Sequence, residues 1–307
     1  MMTDFCTHKM EEYVQLVHLH RSFVLHICVL NFMRSLVAIL GNILVIRGLQ
    51  KASSIPPILR LLLLSLALSD LTVGLFAQLM FGVIIAVMLN MTASGDFESL
   101  CPIILPISQF SLYFLVSASC LSAAAIAFYR LLAVTLHLRY RELVTPGRVV
   151  FALLFLWIVS GLIAAVYILL PDYNDMVDVF MEVLVLFLTA VAYGRIYKVV
   201  GRHQNQIQSQ QQIEHQEAIS LVRAKRSSLN TFFMYAVLLA CYLPDLCCGI
   251  LVLVQKSKIS FLVAFHASGF LVFLNSSINP FIYCWRYGEI REIMKTTVRS
   301  IFTHGNS

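Results

Sequence analysis

The chain has 307 residues, 59% of them hydrophobic and 12% charged, with a mean hydropathy of +0.83 and a formal net charge of +6. That composition excludes a water-soluble globular domain, whose apolar share stays near about one half, and no soluble basic face is available on which nucleic acid would bind. Apolar runs of ~20 or more residues, each able to cross a ~30 Å hydrocarbon core as a helix, point to an all-α protein embedded in a membrane.

In chain order, the apolar runs predict seven spans at 23–48, 57–89, 103–134, 146–170, 176–200, 229–254 and 260–284. The second and third exceed what a bilayer needs, which implies tilt or protruding ends. Residues 1–22 carry Asp4, Lys9, Glu11, Glu12 and Arg21 without a separate apolar core or a small-residue cleavage site. They are read as an outer segment rather than a cleavable signal peptide, with the first span acting as its own signal.

Basic residues near span ends resist translocation. With an outside amino terminus, 17 of the 22 Lys and Arg fall on the inner side: three after the first span, four around the second inner loop, six around the third and four after the seventh. Lys9, Arg21, Lys256 and Lys258 fall outside, and Arg34 falls within the first span. An inner surface of this charge suits the anionic lipid of a cytoplasmic leaflet.

Between the fifth and sixth spans, the glutamine-rich stretch His203 to Gln216 reads as an extension of the flanking helices, with a disordered spacer as the alternative. After Tyr283, the run WRYGEIREIMKTTVRSIF sets Ile290, Ile293, Met294, Val298 and Ile301 at helical spacing among basic residues. This is the pattern of an amphipathic helix lying on the inner membrane surface. No cysteine follows Cys284, so this helix has no evident lipid attachment site. The chain thus divides into an extracellular segment 1–22, a seven-span region 23–284, and a cytoplasmic amphipathic helix with tail at 285–307.

A polar side chain within a span is costly, so each is by default a functional candidate or half of a buried pair. Asn42 lies in LGNILVI, Asp70 in LSLALSD, Arg130 in AIAFYRLLAV, Trp157 in FLWIVSG, Pro244 in CYLP, and Asn279, Pro280 and Tyr283 in NPFIY. This ordered set, from about residue 38 to 295, resembles the rhodopsin-like (class A) G-protein-coupled receptors. LHLRYRELVTPGRV, after the third span, resembles the second inner loop of the melanocortin, adenosine and cannabinoid receptor branch. The fifth span has no proline and the outer segment between Leu170 and Asp178 is very short; adenosine receptors fit less well on both counts.

The resemblance implies a plasma-membrane protein with an extracellular amino terminus that passes an extracellular signal to a heterotrimeric G protein, and no enzymatic activity. It implies coupling and switching roles for Arg130, Tyr193, Tyr242, Pro244, Asn279, Pro280 and Tyr283. Asp70, Ser119, Asn275, Ser276 and Asn279, with Asn42 beside them, match positions that hold a sodium ion. Hard oxygen donors suit such a cation, whose binding would favour the inactive bundle; a hydrogen-bonded network without an ion is the alternative. No other metal and no organic cofactor is expected.

The chain also departs from the family pattern. The acid expected before Arg130 is Tyr129, the tyrosine expected after it is Leu131, and the acidic partner near the start of the sixth span is Ala224. Weaker restraint of Arg130 predicts elevated ligand-independent signalling; tyrosine hydrogen bonds or sixth-helix packing in place of the missing acids are the alternative. Tyr242 stands where the family usually has tryptophan.

Asp178 and Glu182 lie four residues apart, on one helical face, and Asp245 follows Pro244. Three acids facing one pocket favour a small-molecule or peptide ligand bearing an amine or guanidinium. The alternative puts Asp178 in the headgroup region and neutralises another acid with Arg34 or a lysine. Leu112 replaces the aspartate of amine receptors, Phe273 the retinal lysine, and Met80, Leu105 and Gln109 the melanocortin-receptor acids.

Cys6 and Cys101 are both outside, and a bridge between them is expected, with free thiols as the alternative. The usual family bridge from the third span has no partner, because no cysteine occurs between Cys120 and Cys241. Asn90-Met91-Thr92 is an N-glycosylation acceptor sequence close to the outer membrane surface. Readings from other classes are a receptor-like protein without G-protein signalling and a small transporter, although no internal repeat of the transporter kind is visible.

Overall fold

The computed structural model describes the backbone of residues 2–90, 95–136, 140–170, 173–209, 215–255 and 259–304, and most side chains within 16–90, 103–202 and 233–300. Among the described residues there is no strand, and the helices follow one another in chain order.

Helix α1, Met2–Lys51, breaks helical geometry at His20 (φ −132°, ψ 39°). The expected outer segment 1–22 therefore continues the helix of the first span. Helix α2, Pro57–Thr72, begins on a proline whose fixed φ and missing N–H suit a first helical position. It passes through a π-helical turn, Val73–Gln78, into α3, Leu79–Asn90, and the three pieces form the second span. A π turn disturbs the regular backbone ladder, and α1 meets it there: Ser35 Oγ donates to the Gly74 carbonyl at 2.9 Å and Asn31 Nδ2 to the Gln78 carbonyl at 2.6 Å.

The third span is α4, Gly95–Thr135, followed by a single turn, α5, Tyr140–Leu143. Helix α6, Pro146–Leu169, is capped by Thr145, whose side-chain oxygen accepts from the Arg148 N–H at 3.5 Å, with proline again at the first position. Helices α7, Asn174–Ser209, and α8, His215–Gln255, carry the fifth and sixth spans. They also extend into the glutamine-rich stretch from both sides, while 210–214 lie outside the described residues. Helix α9, Ile259–Arg286, and α10, Gly288–His304, complete the chain.

Six stretches among the described residues are long and apolar enough to cross a membrane: Leu16–Lys51, Pro57–Asn90, Ile103–Thr135, Pro146–Leu169, Met176–Arg202 and Tyr235–Val254. Helix α9 carries Asn275, Ser276, Ser277 and Asn279, all of them buried inside the bundle. It packs between α1 and α8 and so closes the ring of seven.

Helix α4 runs through the centre, touching α2, α6 and α7. The outward face of α6 presents Phe151, Leu154, Phe155, Ile158 and Leu162, apolar side chains whose solvent is lipid. At the end of the bundle where α10 begins, Val45, Leu49, Leu63, Leu66, Ile126, Tyr283 and Ile290 form one buried cluster that joins α1, α2, α4, α9 and α10. The bundle is thus an all-α membrane fold of seven spans with an eighth, amphipathic helix.

Candidate functional site

Polar side chains from facing helices line up through the bundle around Asp70, which is fully buried. Ser119 Oγ of α4 donates to Asp70 Oδ1 at 2.6 Å and Asn279 Nδ2 of α9 to Asp70 Oδ2 at 2.7 Å, with a further side-chain hydrogen bond from Ser276. All three donors are neutral. A carboxylate held in the interior by neutral donors alone calls for a proton or a cation. Oxygens of Asp70, Ser119, Ser276 and Asn279 make a hard donor set of the kind a sodium ion takes.

Asn42 does not reach the carboxylate. Its Nδ2 donates to the carbonyls of Ala38 (2.8 Å) and Ser276 (3.2 Å), so it fixes the α9 backbone that carries Ser276. Asn275, expected among the ion's ligands, instead lines a small neighbouring cavity with Thr189, Tyr193 and Asn279, and its Nδ2 has no partner.

Tyr242 of α8 lies within electrostatic range of Asp70, and its hydroxyl bonds the Cys120 thiol of α4. Both are buried, in a cluster with Val185, Leu186, Leu238 and Leu246. Beyond them the predicted acids come together. The carboxyl groups of Glu182 and Asp245 hydrogen-bond one another, and Asp178 stands close to Glu182. Ser268 Oγ of α9 donates to Asp245 Oδ1 at 2.6 Å.

Arg34 does not serve as their counter-ion. It is buried between α1 and α9, donating to the Phe270 carbonyl and to Asn31 Oδ1 (3.1 Å), with its guanidinium 3.4 Å over the Phe270 ring. Among the described residues, no group of three or more His, Cys, Asp or Glu side chains is placed to hold a metal ion.

Towards the α10 end of the bundle, Arg130 is 9% exposed and lies within electrostatic range of Tyr193, Tyr283 and Arg286. Tyr193 packs on Tyr235 at 5.0 Å between ring centroids. Tyr283 is 1% exposed and its hydroxyl has no partner. Tyr129 meets Tyr140 edge to face at 5.6 Å between ring centroids, and the buried Tyr140 hydroxyl has no hydrogen-bond partner. Leu131 packs with Ala127, Ala192 and Ile196.

Pro244 and Pro280 each sit inside a helix, where the missing N–H leaves a carbonyl without its helical donor. Trp157 of α6 donates to Ser65 Oγ at 3.3 Å, and Ser65 contacts Ser122 Oγ at 3.2 Å. This bridge joins α6 to α2 and α4, a structural role the sequence alone does not separate from a switching one.

The side chains of Cys6, Cys101 and Ala224 lie outside the described residues, as does Thr92 of the glycosylation sequence. Asn90 itself is exposed at the C-terminal end of α3.

With this geometry the comparisons agree. A family described as the 7 transmembrane receptor (rhodopsin family) matches residues 41–178 and 171–283, most of the chain. The chain belongs to the rhodopsin family of seven-transmembrane receptors.

The receptor is 26% identical over 305 aligned positions to the adenosine receptor A2a of Homo sapiens, covering 87% of this chain and 70% of the relative. It is 24% identical over 296 positions to the adenosine receptor A2b of Bos taurus, covering 83% of each. With the cannabinoid receptor 2 of Rattus norvegicus the identity is 28% over 170 positions, half of this chain and 46% of that one. Adenosine receptors therefore stand among its relatives, alongside the missing fifth-span proline and the very short outer segment. The relatives are receptors rather than enzymes, and the receptor is a G-protein-coupled one.

Proposed function

We propose that the receptor sits in the plasma membrane with its amino terminus outside, binds a small molecule or short peptide carrying a basic amine or guanidinium, and couples to a heterotrimeric G protein even without ligand. The observation that carries the ligand class is the grouping of Asp178, Glu182 and Asp245 at the outer end of the bundle. Three carboxyl groups, two of them in direct contact, form a site that an organic cation would relieve of mutual repulsion. Their arrangement lacks the convergence that a metal ion requires.

From this site a chain of contacts runs inward. A cation at Glu182 and Asp245 acts next to Tyr242 and Cys120, which in turn face Asp70. Asp70, Ser119, Ser276 and Asn279 would hold a sodium ion in the resting bundle, supplying a counter-charge to the carboxylate. Rearrangement of α8 and α9 about Pro244 and Pro280 then opens the inner mouth around Arg130.

Two features of that mouth favour basal activity. Tyr129 supplies no carboxylate beside Arg130 and is engaged with Tyr140 instead. A second guanidinium, that of Arg286, lies within range of the first, and like charges held together in the closed state are relieved by opening.

The experiment is to measure second-messenger levels in cells without ligand, for the receptor and for Arg130→Ala at equal surface density. A basal signal that falls about tenfold or more in the variant, a shift of about 1.4 kcal/mol in the underlying equilibrium, supports the reading. Equal signals in the two would remove Arg130 from coupling, and silence in both would remove basal activity.

A further inference from the structure

Helix α10 is fastened before any lipid or partner reaches it. Ile290 is fully buried against α1, where its side chain approaches Gly48 so closely that a Cβ there would meet it at 3.1 Å. Ser53 and Ser54, in the turn after α1, direct their backbone N–H groups and hydroxyls onto the Glu289 carboxylate. One turn further along, the helix stands away from its neighbours and leaves a groove of about 410 Å³ between α1, α9 and α10.

The two sides of this groove differ in chemistry. Arg291, Lys295 and Arg299 line it at successive turns of α10, a column of three cations on one helical face. Leu44, Cys284, Met294 and Val298 form its apolar wall. Glu292 contacts Lys295 at 3.1 Å and Arg291 at 3.6 Å. The apolar wall continues along α1 through Leu40 and Leu36, both exposed on the bundle exterior, one and two turns from Leu44.

We infer that this groove is a binding site for a single phospholipid with a polyanionic headgroup. The phosphates sit on the Arg291–Lys295–Arg299 column and an acyl chain runs along Leu44 towards Leu40. Charge complementarity selects an anion, and the continuity of the wall with the lipid-facing surface selects one that carries hydrocarbon. A wet protein partner would gain nothing from that second feature. The site lies apart from the acidic ligand pocket and from the Arg130 mouth, and does not rest on their assignment.

The test uses the full receptor in nanodiscs of phosphatidylcholine with stepped fractions of phosphatidylinositol bisphosphate, counting bound lipid by native mass spectrometry. Two variants are compared: Arg291→Ala/Lys295→Ala/Arg299→Ala, which removes the charge, and Val298→Trp, which fills the wall and keeps the charge. Both are expected to weaken binding at least about tenfold, since each basic residue near an anionic surface contributes appreciably. Soluble inositol phosphate is expected to compete poorly.

Wild-type affinity in Val298→Trp would show diffuse surface charge rather than a groove and would overturn the proposal. So would equal binding of the soluble headgroup, which would make this a free-phosphate site. Should the triple variant lose its thermal unfolding transition, Val298→Trp and the soluble competitor still decide.

Discussion

At the scale of single residues, small changes of position on a helix decide which side chains join the site. Ser276 and Asn279 both hydrogen-bond Asp70, whereas Asn275, one turn before Asn279 on α9, lines the small cavity beside it and leaves its Nδ2 without a partner. The resemblance carries the composition of the cluster but not which members bond the carboxylate. Asp70→Asn keeps size and hydrogen bonding while removing the charge, so we expect the thermal stability of the purified receptor to lose its dependence on sodium against choline; a sodium effect of undiminished size would refute the site. Gly41 is fixed by contact rather than conformation. A Cβ there would lie 2.7 Å from Pro280 Cγ and 2.9 Å from its Cβ, and a proline ring within a helix cannot swing aside. Gly41→Ala should therefore cost about 1–3 kcal/mol, the usual range for overpacking, read as a lowered unfolding midpoint in detergent. At Gly249 the obstacle at 2.9 Å is the Val179 Cγ2 methyl of an intermediate side chain, so the same substitution there should cost less.

At the scale of elements, hydropathy reveals the seven membrane crossings because the bilayer core imposes an apolar length on each. It is silent on how far each helix runs on into water. The extension of α1 back to Met2, of α7 to Ser209 and the start of α8 at His215 depend on backbone hydrogen bonding and helix propensity rather than apolar content. The π turn in the second span is equally hidden, since it arises where Asn31 and Ser35 take carbonyls of the neighbouring helix. The amphipathic α10 is legible from its spacing, but its fastening is not, because Glu289 lies more than 230 positions from Ser53 and Ser54. Those hydrogen bonds hold the Glu289 carboxyl at about 2, against an ordinary value of 4.5. A depressed value of this kind supports docking fully above the ordinary value, and the support fades as pH falls through the interval towards 2. No loss is expected between pH 7 and 5. Glu289→Gln should remove the contribution at every pH, so hydrogen exchange at the Ser53 and Ser54 amides should quicken in the variant at pH 7. Unchanged protection would mean that Ile290 alone fastens the helix.

At the scale of the whole molecule, signalling without ligand is a question of how two bundle states share the population. A resting state populated a hundredfold over the active one keeps the receptor nearly silent, and each 1.4 kcal/mol removed from that gap raises the active share about tenfold. The inner end of α4 is where this chain differs most plainly from the family pattern. Tyr129 is turned towards Tyr140 in the second inner loop, Leu131 is packed among Ala127, Ala192 and Ile196, and Tyr193 and Tyr283 stand around Arg130. Restoring a carboxylate at position 129 would place an anion next to Arg130 in the closed mouth, where Arg286 also bears on it. It would also release Tyr140 from its ring contact with Tyr129. A pair of opposite charges in a partly desolvated setting stabilises the state that holds them together. Tyr129→Asp should therefore lower basal second-messenger output by about tenfold and leave a response to agonist, since opening still exposes Arg130. Tyr129→Leu, which removes the ring contact with Tyr140 without adding charge, separates the two contributions: if it lowers basal output as far as Tyr129→Asp does, contact with Tyr140 governs the equilibrium and the missing carboxylate does not.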